Sequence, residues 1–119
     1  MKVSRRRPEQ VAETIRQVIA EAMLGELRDP RIGFVTVTDV QVTKDLSVAT
    51  IRVSVMGEDA VRAEALAGLE SAAGFLRSRV SKALSTRVVP ELRFELDRGL
   101  EHAARIEKIL AELREEQGD

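Results

Sequence analysis

The hydrophobic period of this chain switches along its length, and that succession constrains the fold more than any other feature. Val11, Ile15, Val18, Ile19, Ala22 and Met23 recur at helical spacing, whereas Ala49, Ile51, Val53 and Val55 alternate with Thr50, Arg52 and Ser54. A stripe at intervals of three and four buries one side of a helix; strict alternation buries one face of a strand. From Asp59 the helical period returns in Val61, Ala65, Leu66, Leu69, Ala72, Ala73, Leu76, Val80 and Leu84. Leu92, Phe94 and Leu96 then alternate with Arg93 and Glu95, and Leu100, Ala103, Ile106, Ile109, Leu110 and Leu113 line one side of a last helix.

Turn chemistry punctuates these segments. Pro8 suits the first turn of the first helix, where its missing N–H is no loss, and Gly25 lies near the stop. Asp29-Pro30-Arg31-Ile32-Gly33 is a connector, Thr43-Lys44-Asp45-Leu46 a turn, and Gly57 a strand end. Residues 34–42 read as a strand whose phase slips, because Val35 and Val37 share one face while Val40 and Val42 share the other. A bulge near Thr38-Asp39, or burial on both faces, reconciles them. Gly74 interrupts the long alanine-rich helix and predicts a kink or break there, with close helix packing as its structural reading.

The order is αββααβα. Two helices between strands of one sheet imply a right-handed crossover with the helices on one face, hence a two-layer α+β domain with a three-stranded sheet. At 119 residues, 44% of them hydrophobic, the chain can bury a core without staples, and it has no cysteine for a disulfide or thiolate site. The basic start has no apolar segment behind it and no run is long enough to span a bilayer, so a soluble cytoplasmic protein is expected.

Chemistry-bearing groups are sparse. His102, the one histidine, has Glu101 and Arg105 nearby and reads as solvated surface; Asp29, Asp39, Asp45 and Asp97 fall at turns and element ends, where aspartate caps and closes Asx-turns. No phosphate-binding glycine motif is present, and nothing singles out a carboxylate pair, metal site or cofactor site.

Charge is more informative. Net charge is −1, yet Lys2, Arg5, Arg6 and Arg7 make the first seven residues +4, while eight acids face four bases from Glu95 onward. Such polarity points to nucleic-acid contact at one side. Arg5, Arg6 and Arg7 precede a helix whose amide end also attracts phosphate, and Arg77, Arg79, Lys82 and Arg87 form a second basic group. Arg77 and Arg79 are two apart and do not share a narrow helical face. Aromatics are 3%, without Trp or Tyr, and Phe34, Phe75 and Phe94 read as core positions. Shape and phosphate recognition of folded RNA is therefore expected over base stacking.

The order αββααβ is that of a type II KH domain. The runs Asp29-Pro30-Arg31-Ile32-Gly33, Val35-Thr36-Val37-Thr38-Asp39-Val40, Asp45-Leu46-Ser47, Ser71-Ala72-Ala73-Gly74-Phe75-Leu76-Arg77 and Val89-Pro90-Glu91-Leu92-Arg93-Phe94 resemble the bacterial ribosome-binding factor A family. The resemblance implies a KH-like domain over residues 1–119, with a helix-kink-helix at Ala72-Ala73-Gly74 in place of a Gly-x-x-Gly loop and an added C-terminal helix. It implies a non-enzymatic, cofactor-free assembly factor, monomeric and active in the cold. Such a factor binds the immature small ribosomal subunit and its precursor rRNA and promotes late maturation, including 5′-end processing, with no membrane or small-molecule partner. Residues 1–7 are expected as a flexible basic arm and 114–119 as a flexible acidic tail. Alanine at the kink favours continued helix, which moves the expected RNA contact from a backbone cradle to arginines on helices. The alternative reading is a protein-binding adaptor using the open sheet face or the C-terminal helix.

Overall fold

The computed structural model describes residues 7–33, 35–86 and 88–117, and of residues 100–104 the backbone alone. Arg5, Arg6 and Arg87 lie outside the described residues, as does the side chain of His102. The elements are α1 (Pro8–Gly25), a 3₁₀ turn (Pro30–Ile32), β1 (Val35–Val42), β2 (Val48–Val55), α2 (Asp59–Ser71), α3 (Ala73–Leu84), β3 (Glu91–Leu96) and α4 (Gly99–Gln117). α4 continues through residues 114–117, which the sequence pattern places in the acidic tail.

β1 and β2 form an antiparallel hairpin, and β3 joins β2 in parallel, so the strand order is β1-β2-β3. The parallel pairing needs a crossover, and α2 with α3 supplies it. α1 packs on β1 and α3, and α2 on β2 and β3, which leaves the other sheet face to solvent. The buried core joins Val11, Ile15, Ile19 and Ala22 of α1 to Ala49, Ile51 and Val53 of β2, Leu69 of α2, Leu76 and Val80 of α3, and Phe94 of β3. No charged or polar residue is buried among the described residues.

The β1 phase slip resolves as a bulge: the register shifts between Val37 and Asp39, so Val37 opposes Val53 and Val40 opposes Ile51. Both valine pairs thereby turn to the core side. The bulge residue, Thr38, donates through Oγ1 to Asp97 Oδ2 at 2.6 Å, across β2. Asp97 also accepts from the Gly99 amide at 2.9 Å, tying the bulge to the start of α4.

The helix-kink-helix lies where the sequence places it, in the Ala72-Ala73-Gly74 run, while the reading of Gly74 as a close-packing residue is corrected. The break between α2 and α3 falls at Ala72 (φ −88°, ψ 0°), and a Cβ on Gly74 would meet nothing within 4 Å. The close-packing glycine is Gly68, whose Cβ would stand 3.0 Å from Ile32 Cγ1 and 3.4 Å from Arg31 Cβ. It lets the connector of residues 29–33 lie against α2.

Candidate nucleic-acid interface

Arg7 is the N-cap of α1, where its amide donates to Gln10 Oε1 at 3.2 Å and its carbonyl accepts from the Gln10 and Val11 amides at 3.0 and 3.1 Å. Pro8 follows at the first helical position, as its locked φ favours. Arg7 therefore stands at the positive end of the α1 dipole.

The three described cations of the second group sit on α3 because that helix alternates core and surface at helical spacing. Leu76, Val80 and Leu84 face inward, and Arg77, Arg79 and Lys82 fall on its flanks. The flanks differ. Arg77 donates through Nη2 to Val89 O at 3.0 Å and through Nε to Pro90 O at 3.4 Å, clasping the segment that leads into β3. Arg79 turns toward α1, where it pairs with Glu26 and holds its guanidinium 5.2 Å from the centre of the Phe75 ring. Lys82, one turn on, shares with Arg79 a shallow groove between α1 and α3 that Val18, Glu21, Glu26 and Ala83 complete. Lys82 is exposed and has no ion-pair partner among the described residues.

The structure thus brings Arg79 and Lys82 together and sends Arg77 to the β3 side. Two features went unread in the sequence. Arg28 is exposed in the connector after α1, also without an ion pair among the described residues. Phe75 is 41% exposed, which corrects its expected core position. The four-residue spacing of Phe75 and Arg79 on one helix was the available signal.

The open sheet face is charge-balanced. Arg52 stands between Asp39 and Glu95, with Nε 3.7 Å from the Glu95 carboxylate, and Arg93 lies 3.2 Å from Glu91. A phosphate backbone gains little there. The aspartates are structural acceptors: Asp45 takes the Ser47 and Thr43 hydroxyls at 2.7 Å each, and Asp29 takes Arg31 Nε at 3.0 Å on both oxygens. Hydrogen bonds from Ser47 to Asp45, from the Arg31 side chain to Asp29 and from Thr38 to Asp97 hold all three carboxyls below their ordinary values. A general acid at neutral pH needs the opposite shift. Among the described residues no group of three or more histidine, cysteine or acidic side chains is placed to hold a metal ion.

The family model for ribosome-binding factor A matches residues 7–110. This chain belongs to the ribosome-binding factor A family. Ribosome-binding factor A of Desulforamulus reducens is 48% identical over 111 residues, covering 93% of this chain and 92% of the relative. The crystal structure of the Thermus thermophilus member is 27% identical with a TM-score of 0.65, over 75% of this chain and 94% of that one. A homology model of the Thermus thermophilus protein, fitted into a cryo-electron-microscopy map of its 30S complex, is 29% identical with a TM-score of 0.60, over 72% and 90% of the two chains. The two-layer α+β architecture is the family's, with the KH-like order. The family match ends inside α4, so the last turns of that helix lie beyond it.

Proposed function

We propose that this protein is a cytoplasmic, monomeric assembly factor that binds the immature small ribosomal subunit and its precursor rRNA. It promotes late maturation, including 5′-end processing and in the cold, without itself cleaving RNA. The observation that carries this reading is the family match over residues 7–110, strengthened by a relative placed in a 30S complex. The RNA contacts are Arg5, Arg6 and Arg7, which precede α1 in the sequence, and Arg77, Arg79, Lys82 and Arg87, of which the first three lie on α3. The helix-kink-helix at Ala72-Ala73-Gly74 supplies a surface for side chains, because α3 resumes at Ala73 directly after the break at Ala72 and leaves no open loop for a backbone cradle.

Sedimentation with immature and mature small subunits across a salt series tests this. Association with immature subunits that weakens as salt rises is expected, with a shallower salt slope when Arg5, Arg6 and Arg7 are neutralised. No association at any salt, or cleavage of precursor RNA by the protein alone, contradicts it.

One observation favours a second reading, as a protein-binding adaptor. α4 leaves Ile106, Ile109, Leu110 and Leu113 between 46% and 48% exposed along one side, with no substantial contact to another element. Association that survives RNase and does not depend on salt would select it.

A further inference from the structure

The exposed Phe75 ring and the guanidinium over it match neither the core nor a simple phosphate contact. Large apolar side chains on α3 otherwise face inward, and Leu76, Val80 and Leu84 are buried. Phe75 instead leaves 41% of its surface to solvent beside Gly74, which carries no side chain, and the space a Cβ would fill there is empty to 4 Å. Arg79 lies one turn away at 5.2 Å from the ring centre. Its charge is already answered by Glu26, which takes the edge of the guanidinium through a hydrogen bond. A guanidinium beside an exposed aromatic ring offers a second π-face next to it, and its pairing with a carboxylate lessens its pull on phosphate.

We infer that Phe75 and Arg79 form a stacking platform for one unpaired nucleobase of the small-subunit RNA. The inference rests on the small-subunit reading and adds to it a site that recognises a splayed base, with Lys82 in the neighbouring groove available to the flanking phosphate. Folded RNA exposes such bases in loops and bulges, and aromatic rings and arginine planes are the side chains that take them. Stacking tolerates any base, so the platform reads an unpaired position without reading its identity.

The chain has no tryptophan or tyrosine, so Phe75→Trp places a single indole at the platform. Its fluorescence is expected to be quenched by immature small subunits and by protein-free precursor rRNA, with binding kept. Phe75→Leu is expected to weaken subunit binding roughly 5- to 100-fold while leaving the salt slope unchanged. Lys82→Ala is expected to reduce the slope. Wild-type protein that fails to sediment with small subunits overturns the small-subunit reading and this inference with it. Wild-type binding with an unquenched indole in Phe75→Trp, or with equal affinity in Phe75→Leu, overturns the platform alone. Quenching by subunits but not by protein-free rRNA assigns the ring to a protein contact and also overturns it.

Discussion

Two glycines on the same helical pair predict opposite outcomes for one substitution. Gly74→Ala adds a methyl to open space and removes a flexible residue from a helix, so it is expected to stabilise by about 0.5–1 kcal/mol. Gly68→Ala adds the same methyl 3.0 Å from Ile32 Cγ1, against buried chain that cannot move freely, and is expected to destabilise by about 1–3 kcal/mol. Thermal unfolding of the two variants checks both signs. The aspartates predict the pH response. Asp29, Asp45 and Asp97 have folded pKa values below their unfolded ones, so the stability they contribute is present above the ordinary aspartate value and lost as pH falls through the folded values. Melting temperature should hold down to about pH 5 and fall below about pH 4, and Asp97→Asn should flatten that fall. The roles of these aspartates were legible from their places at turns. The two glycines were not distinguishable, since both sit in one alanine-rich run and only the partner segment tells them apart.

Among the elements, the strands followed their alternation closely. The β1 slip is a bulge because the hairpin can keep its valines inward only by letting one residue drop out of register, and Thr38 is that residue. Thr38→Val removes the hydroxyl that reaches Asp97 while keeping the β-branched shape. It is expected to lower stability by about 0.5–1.5 kcal/mol, measured by denaturant unfolding. α4 behaves differently from the other helices. Its apolar stripe was legible, but among the described residues Ile106, Ile109, Leu110 and Leu113 make no substantial contact with another element, so a chain ending before Arg105 is expected to melt within a few degrees of the full protein. A large drop would place the helix within the folding unit. The kink was legible in the Ala72-Ala73-Gly74 run, and its break falls on Ala72, whose φ of −88° and ψ of 0° alanine adopts without needing glycine.

For the whole molecule, charge and shape decide how it meets RNA. It spans 73 × 32 × 19 Å, with basic residues at the α1 start and along α3, and an acidic α4 that carries little attraction for phosphate. If Lys82 contacts a phosphate, Lys82→Ala should lower the slope of log affinity against log salt by about one on binding immature small subunits. Arg77→Ala should lower thermal stability as well as affinity for immature subunits, since two of its donors also hold Val89 and Pro90. The element order and the fold class were determined by the sequence alone, because hydrophobic period and turn chemistry are local properties that residues carry with them, and the family was legible in the motif runs that resemble it. Only the tertiary structure decided that Arg77 clasps the β3 approach, that Arg79 is countered by Glu26 and that Phe75 stands in solvent. Those states depend on atoms brought close from segments up to 53 positions away, and no local pattern encodes which neighbour a side chain will meet.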